Sequence, residues 1–334
     1  DVRVVDSGGF AVSSTVDAGA IILSDTADGE LIEFAGTVDA AGLTTTAAGY
    51  ALSFIGDATT IAGDTDILST GPLTLGDAAG DIATFAGGLG TGGNATNPSS
   101  VTIAGTVATT GAAMVLGDIT LADDAVLDTG STAAGTMNVG AVATAGNSIV
   151  FDSGANPDAD ITVASIAGGG DVTVRDSGGF QLSADLVAGT VTLTDTADGE
   201  SIDFFGNVVI STGLSTSAQA YGVGFLGTTS TIAGVTTFQN TGPLVAGDAT
   251  TDSITFTGGL IAAGGATNPS VAQLSGTVGT TGTQLLLGDI SLAGDTTLLT
   301  GGGNLTIQGS IDRDLGDATT TLTIAADAGA VVVN

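Results

Sequence analysis

The sequence predicts an all-β fold of the β-solenoid class, in which short strands of successive coils stack in parallel. Short β-type runs that end in Gly, Asp or Asn recur about every ten residues, and similar-looking runs recur about every 18–21 residues. No stretch places apolar residues at intervals of three and four, and 55 glycines leave no room for a stable helix. Aromatic residues make up only 4% of the chain, which suits the thin core of a solenoid better than the core of a sandwich.

The strands of the first half are predicted from eight short runs, each alternating or nearly alternating between apolar and polar residues. Inward Val, Ile, Leu and Ala would stack from coil to coil about 4.8 Å apart, with Thr on the outer face and Gly and Asp at the corners. Spacings of about 20 residues from Phe34 to Phe54, and about 18 from Phe85 to Ile103 to Leu121, indicate about 16 coils. The runs are AIIL (20–23), LIEF (31–34), YALSFIG (50–56), DIATFAG (81–87), SVTIAG (100–105), DITLA (118–122), SIVF (148–151) and DITVA (160–164).

A longer repeat divides the chain into two super-repeats, residues 1–170 and 171–334, which we expect to form one continuous solenoid. The chain begins without Met or a signal peptide, which indicates a mature product or an excerpt. LTIAADAGAVVV (322–333) resembles the seam at 161–174, so the chain is expected to stop about where a third copy would begin. The matched segments are DVRVVDSGGF (1–10) with DVTVRDSGGF (171–180), SDTADGELIEFAG (24–36) with TDTADGESIDFFG (194–206), TGPLTLGDA (70–78) with TGPLVAGDA (241–249), and LGDITLA (116–122) with LGDISLA (287–293).

The charge balance excludes several classes of partner. The chain has 35 acidic and 3 basic residues and a formal net charge of −32, with no His, Cys or Trp. Without a basic patch to neutralise phosphates, we expect binding neither to nucleic acid nor to anionic membrane surfaces. No window holds 18 continuous apolar residues, so membrane insertion through a helix is not expected. An outer-membrane barrel would need aromatic girdles that this chain lacks.

Catalysis would have to rest on carboxylates, because His, Cys and Lys are absent. Glu30 with Glu33, and Glu200 with Asp203, occupy the same place in the two super-repeats. Residues three apart face opposite sides of a strand, and Glu30 falls in the preceding turn. We therefore predict no catalytic residue and no enzyme, and a polysaccharide-cleaving β-helix is the least favoured hypothesis.

The repeated acidic turn DTADGE offers several hard oxygen ligands, which suit Ca²⁺. It matches neither the EF-hand loop nor the glycine-rich β-roll nonapeptide. The alternative interpretation is a plain corner in which Asp bonds the backbone, as in the recurring Gly-Asp pairs. No other cofactor is predicted. The candidate metal ligands are Asp25, Asp28, Glu30, Asp195, Asp198 and Glu200.

Two Gly-rich segments, GGNATNPSS (92–100) and GGATNPSV (264–271), are predicted to bulge between coils. They lack the Lys of a phosphate-binding loop, and their prolines would rigidify the exit and block strand pairing. Such loops are where a solenoid binds a partner, although a plain loop is the alternative. The candidate interaction residues are Asn94, Thr96, Asn97, Pro98, Thr267, Asn268 and Pro269.

Two segments have a sequence pattern that resembles the repeats of giant bacterial surface proteins of the filamentous-haemagglutinin and autotransporter-adhesin type. They are TTGAAMVLGDITLADDAVLDTG (109–130) and GDVTVRDSGGFQLSADLVAGTVTLTDTADG (170–199). The resemblance covers nearly the whole chain, but it consists of G-D/N-[IVL]-T-[IVL] runs and not of an invariant motif. It implies a right-handed parallel β-helix, secretion, and a structural or adhesive role. The amino-terminal secretion domain of such adhesins is not visible in this sequence.

Together these observations predict a non-catalytic, extracellular, acidic rod, as a segment of a bacterial cell-surface adhesin or a self-assembling fibre. The expected partners are adjacent repeats, copies of the chain joined end to end through exposed strand edges, and a host, cell-surface or glycan ligand. The second hypothesis is a Ca²⁺- or carbohydrate-binding β-helix module.

Overall fold

The computed structural model of the chain describes residues 1–24, 26–91, 98–131, 133–265, 267–313 and 319–334. These residues form strands, turns and bends and no helix, which confirms the all-β prediction. The strands run parallel and stack as a β-solenoid of about 14 turns with roughly 22 residues per turn. The chain divides into two compact units, unit 1 (Asp1–Gly168) and unit 2 (Gly169–Asn334).

Short strands separated by corners make up unit 1, since β-branched and aliphatic runs are cut by Gly and Asp every few residues. Its strands are β1 (Val2–Val5), β2 (Phe10–Val12), β3 (Val16–Ala18), β4 (Ile21–Ser24), β5 (Leu31–Phe34), β6 (Val38–Ala40), β7 (Leu43–Thr44), β8 (Ala51–Phe54), β9 (Ala58–Ile61), β10 (Thr65–Asp66), β11 (Leu73–Leu75), β12 (Ile82–Phe85), β13 (Leu89–Gly90), β14 (Val101–Ala108), β15 (Met114–Leu116), β16 (Ile119–Asp128), β17 (Met137–Ala143), β18 (Ile149–Asp152) and β19 (Asp160–Ala167).

Each turn of unit 1 contributes segments to three parallel ladders. The first begins with β1, β4 and β7 and resumes in β10, β13, β15, β17 and β19. The second runs through β2, β5, β8, β11, β14 and β16, and the third through β3, β6, β9, β12, β14, β16 and β18. The register of β14 on β16 shifts between Ile103 and Gly105, so each long strand serves two ladders. Gly105 has φ +72 there, and a Cβ would lie 2.3 Å from the carbonyl oxygen of Asp81.

Unit 2 repeats this arrangement. Its strands are β20 (Val172–Asp176), β21 (Gly179–Leu182), β22 (Leu186–Leu193), β23 (Ser201–Phe204), β24 (Val208–Thr216), β25 (Gly222–Phe225), β26 (Thr229–Ile232), β27 (Thr236–Thr237), β28 (Leu244–Ala246), β29 (Ser253–Phe256), β30 (Leu260–Ala262), β31 (Ala272–Thr280), β32 (Leu285–Leu287), β33 (Ile290–Leu299), β34 (Leu305–Ile307), β35 (Ile311–Arg313), β36 (Leu322–Ala325) and β37 (Val331–Val333). The first ladder runs through β20, β22, β24, β27, β30, β32, β34 and β37. The second runs through β21, β23, β25, β28, β31, β33 and β35, and the third through β22, β24, β26, β29, β31, β33 and β36.

In each unit, alternate residues of the strands point into an apolar core. In β5 the inward residues Ile32 and Phe34 are fully buried, as the sequence predicts. The rings of Phe34 and Phe54, one turn apart, stack with centroids 5.0 Å apart and planes 8° apart. Phe85, on the third ladder, packs edge-on against Phe54 across the core, with ring centroids 6.4 Å apart. Most of the few aromatic residues therefore lie inside the coil, together with the aliphatic side chains that the sequence predicts there.

The turns are slightly longer on average than the spacing read from the sequence, because their loops differ in length. Leu73 pairs with Val101 across the first Gly-rich segment, whereas Val101 pairs with Ile119 after a much shorter turn. Phe85 pairs with Ile61 on the third ladder, while Ile103 lies on the second. The spacing from Phe85 to Ile103 therefore joins two different ladders and does not measure one coil.

The outer face carries columns of threonine, as predicted. Thr74, Thr102 and Thr120 occupy one register position in three successive turns of unit 1. Cross-strand Thr pairs of this kind stabilise a sheet modestly.

Candidate functional site

The repeated acidic turn forms a corner between two ladders. In unit 2 the N–H of Glu200 donates to the carbonyl oxygen of Ala197 at 2.9 Å, and Gly199 has φ +89. In unit 1 the N–H of Glu30 donates to Ala27 in the same way at 3.1 Å, with Gly29 at φ +80. Both corners are β-turns whose third residue needs the positive φ that glycine adopts readily.

Carboxylates of these corners accept hydrogen bonds from N–H groups of the chain itself. The Oδ1 atom of Asp195 accepts the N–H of Thr196 at 2.8 Å, and its Oδ2 accepts the side-chain amide of Gln219 at 3.3 Å. Asp28 accepts the N–H of Gly49, one turn on, at 2.7 Å. A Cβ at Gly49 would lie 2.6 Å from Asp28 Oδ1, so this close approach requires the glycine.

Within the described ranges, no three acidic side chains lie close enough together to hold a metal ion. Asp25 falls outside those ranges. Asp195, Asp198 and Glu200 are all described, and they are not brought together as a three-carboxylate group. The Ca²⁺ site therefore stays a prediction, whereas the plain-corner interpretation accounts for the contacts observed.

Corner carboxylates bond successive turns to one another throughout both units. Each accepts a backbone N–H from the following turn, which is a charge-assisted hydrogen bond of above-average strength. The pairs are Asp28 with Gly49 (2.7 Å), Asp118 with Ala141 (2.8 Å), Asp124 with Ser148 (2.7 Å), Asp171 with Thr190 (2.7 Å), Asp185 with Asn207 (2.9 Å), Asp289 with Ser310 (2.7 Å) and Asp295 with Thr321 (2.7 Å).

We expect Asp185→Ala to lower the free energy of unfolding by about 1 kcal/mol, because the N–H of Asn207 loses its acceptor. Asp185→Asn should lower the free energy of unfolding much less, because an amide oxygen can also accept the N–H of Asn207. The chain already contains such a bond one turn on, where Asn207 Oδ1 accepts the N–H of Thr229 at 2.9 Å. Denaturant unfolding of the two variants in EDTA measures the difference. Equal losses for Ala and Asn would show that the negative charge matters and the hydrogen bond does not.

The second Gly-rich loop lies between β30 and β31, where Thr267, Asn268 and Pro269 leave the strand pattern. Asn268 Oδ1 accepts the N–H of Gly265 at 3.0 Å, so this amide organises its own loop. In the first loop Pro98 is described, and the candidate residues Asn94, Thr96 and Asn97 lie outside the described residues.

A shallow cavity of about 290 Å³ opens beside the second loop. Its polar lining comes from three segments of unit 2, through Asn268, Asp289 and Gln308. Ala262, Ala263, Gly264, Gly288 and Gly309 supply small surfaces, and Pro269 supplies a further part of the lining. Carboxylate and carboxamide groups together can donate and accept hydrogen bonds, which suits a small polar ligand.

The structure gives the members of the two carboxylate pairs considered for catalysis different surroundings. Glu30 is exposed in its turn, while Glu33 lies outward on β5 in register with Ala11 and Ser53. In unit 2, Asp203 Oδ2 accepts the hydroxyl of Ser201 at 2.6 Å on the same strand.

Two acidic turns that the sequence analysis did not single out place the buried carboxylates of Asp81 and Asp252 against the backbone N–H groups of Asp77 and Asp248. Loss of solvation, the hydrogen bond with Asp81 and the negative charges of Asp81 and Asp57 raise the pKa of Asp77. Loss of solvation and the neighbouring Asp252 likewise raise the pKa of Asp248. The signal was present in the sequence as GDAAGD (76–81) and GDATTD (247–252), which share Asp at their second and sixth positions.

Within the described residues, no helix has the length and apolar character needed to cross a membrane. No protein-family model, curated protein or solved structure matches the chain.

Proposed function

We propose that the chain is a non-catalytic structural segment of a bacterial surface adhesin or self-assembling fibre, which works outside the cell as a stiff, acidic rod. The observation that carries this proposal is the stacking of three parallel ladders around an apolar core in each unit. Bending such a coil would break hydrogen bonds of all three ladders together, and close-packed cores resist deformation.

The charge supports the same role. A net charge of −32 keeps neighbouring rods apart in solution and discourages lateral aggregation of a β-rich protein. Corner carboxylates such as Asp118 and Asp289 also bond the next turn, so part of the acidic surface stabilises the coil.

The partner we propose is another coil of the same kind, from an adjacent repeat or a second copy. Val331 and Val333 are exposed on β37, although they stand in register with Leu305 and Ile307, which are buried in the preceding turn. Exposed apolar residues on a strand of the ladder favour the addition of a further strand in the same register.

Negative-stain electron microscopy combined with thermal unfolding tests the structural role. We expect elongated particles, and a melting temperature that is the same in Ca²⁺ and in EDTA. A compact particle about 45 Å across would contradict the rod, since that is the size of a globular chain of this length.

A Ca²⁺- or carbohydrate-binding module is the second candidate, favoured by the cavity beside Asn268, Asp289 and Gln308. Titration with a panel of neutral oligosaccharides, followed by NMR, would test it, with Gln308→Ala as the variant that removes one polar lining group. A melting temperature that falls in EDTA would instead support the Ca²⁺ site at the acidic turns. If the chain bound neither the oligosaccharides nor Ca²⁺, the binding-module candidate would be rejected and the structural role would remain.

A further inference from the structure

An exposed apolar surface lies on the first three turns of unit 2. Val187 and Val209 stand in register on β22 and β24 of the third ladder, and they are 41% and 45% exposed. The residues on either side of each valine are buried, so both valines point outward. Phe205, at the corner before β24, is 47% exposed, and Val235, at the corner after β26, is 62% exposed. We call these four residues the apolar face of unit 2.

The first super-repeat carries charge where this face carries valine. Three exposed aspartates of unit 1 occupy the places of the three valines, at offsets of 170 or 171 residues. Two of these aspartates stand in register with each other on β3 and β6, as the valines do on β22 and β24. The exchanged pairs are Asp17 with Val187, Asp39 with Val209, and Asp64 with Val235. Phe205 takes the place of Ala35.

The exchange removes most of the negative charge from this side of the turns. Asp57, at the corner before β9, is replaced by Thr228. One acid is gained, because Asp185 stands in place of Thr15, and its Oδ1 accepts the N–H of Asn207 at 2.9 Å. Unit 1 therefore has four carboxylates on the third ladder and its corners in these turns, whereas unit 2 has one. The segments compared are 13–19, 35–42 and 55–64 with 183–189, 205–213 and 226–235.

Two large apolar residues are exposed on the strands that follow in unit 1, but they stand apart from each other. Leu31 begins β5 on the second ladder, and Ile82 begins β12 on the third. The second super-repeat has Ser201 and Ser253 at their places. Singly exposed apolar residues are normal on protein surfaces, whereas a contiguous group indicates a binding surface.

We propose that the apolar face of unit 2 binds the same face of a second copy of this chain, so that two coils associate side by side. A basic partner would bind better to the acidic turns of unit 1, and it gains nothing from the loss of carboxylates. A partner as acidic as the chain itself can approach only where carboxylates are missing. A second copy, with its net charge of −32, is such a partner.

The shape of the surface also favours a protein partner. Outward residues of a parallel ladder repeat about every 4.8 Å along the coil, and two such rows can interdigitate as the facing sides of packed sheets do. Small ligands, in contrast, take concave sites. Four side chains make a small interface, so the contact is weak and the dilute chain is monomeric. The contact is separate from the addition of a turn at β37 and does not depend on it.

Sedimentation velocity of the unmodified chain at low and at high NaCl concentration is the first test. The average mass should rise towards twice the monomer mass as the chain is concentrated, and it should do so at lower concentration in high salt. Salt screens the repulsion between the two acidic copies and leaves the burial of apolar surface intact. A chain that stays monomeric at every concentration, or that associates less in high salt, would overturn the proposal.

The triple variant Val187→Thr, Phe205→Ala, Val209→Thr removes most of the face without adding charge. Threonine is already the outward residue one turn on, where Thr231 stands in register with Val209. We expect the dissociation constant to rise about tenfold or more, because aromatic side chains dominate the energetics of protein interfaces.

Leu31→Ser with Ile82→Ser is the control, since it removes exposed apolar side chains from unit 1 and introduces the residues of the second super-repeat. This variant should associate as the unmodified chain does. If the triple variant associated as strongly as the unmodified chain, the contact would lie elsewhere, for example at the ends of the coil, and the proposal would be wrong. An equal loss in the control would also contradict it, because general exposure of apolar surface would then drive association.

Spin labels locate the contact directly, because the chain has no Cys. Thr231→Cys and Thr60→Cys place a label at the same exposed position of the two super-repeats. Electron–electron dipolar coupling in the concentrated chain should give a short distance between copies labelled at residue 231 and a longer one, or none, at residue 60. The absence of coupling at residue 231, or equal distances at the two sites, would contradict pairing through the apolar face of unit 2.

Discussion

Replacing Phe204 by alanine is expected to lower the free energy of unfolding by about 3–5 kcal/mol. The Phe204 side chain is 2% exposed, and its ring stacks on Phe225 with centroids 5.5 Å apart and planes 21° apart. Phe180 lies on its other side at 6.4 Å. Removing the ring leaves a cavity that the hydrogen-bonded turns on either side cannot close.

The neighbouring Phe205 provides the matched control. It is the same residue type, one position along the chain, but it is 47% exposed. Phe205→Ala should change the free energy of unfolding by about 0.5 kcal/mol or less. Denaturant unfolding monitored by circular dichroism measures both variants, and similar losses at the two positions would contradict the assignment of Phe204 to the core.

The sequence predicted the strands best where a period-2 run lies between two turn signals. LIEF (31–34) coincides with β5, and its inward residues Ile32 and Phe34 are buried. The second super-repeat confirms the pattern, because SIDF (201–204) coincides with β23 and buries Ile202 and Phe204. In such runs the same alternation determines both the strand and its inner face.

The arrangement of strands into three ladders could not be predicted from spacing alone. Adjacent ladders are separated by a corner, and the sequence distance to the next strand of the same ladder depends on three corner lengths together. Strand β14 passes from one ladder to the next through the bulge at Gly105, so a single apolar run covers two faces. A register shift of this kind leaves little trace in hydrophobic periodicity.

The roles of polar side chains depended most on tertiary contacts. Tyr221 is buried, and its hydroxyl accepts the N–H of Ser217 at 3.1 Å and donates to the carbonyl oxygen of Leu193 at 2.8 Å. Leu193 lies in the preceding turn, so this contact becomes visible only when the turns are stacked. The buried carboxylates of Asp81 and Asp252 were missed for a related reason, since an Asp in a turn is ordinarily solvated and only burial distinguishes these two.

The close approach of corners in successive turns leads to the second large effect. Gly56→Ala is expected to lower the free energy of unfolding by about 1–3 kcal/mol, towards the upper end of that range. A Cβ at Gly56 would lie 2.2 Å from the carbonyl oxygen of Gly36 and 2.5 Å from its carbonyl carbon. These are backbone atoms of the preceding turn, so no side chain can rotate away to make room.

Gly80→Ala is the control within the same unit. A Cβ at Gly80 would have no atom within 4 Å, and Thr251 stands at the corresponding position of the second super-repeat. This change should be neutral or should stabilise the chain by about 0.4–1 kcal/mol, because alanine reduces the freedom of the unfolded state. Thermal unfolding of the two variants therefore distinguishes the clash of the new Cβ at residue 56 from the general effect of replacing glycine by alanine.

The column at Gly56 extends through more than one turn, which makes the outcome informative about the whole corner. A Cβ at Gly36 would itself lie 2.3 Å from the carbonyl oxygen of Ser14, one turn earlier. If Gly56→Ala melted like the unmodified chain, the turns could shift apart at this corner without cost. A marked loss, with amide hydrogen exchange accelerated in β8 and β9, would establish that the packing of corner backbones holds the turns in register.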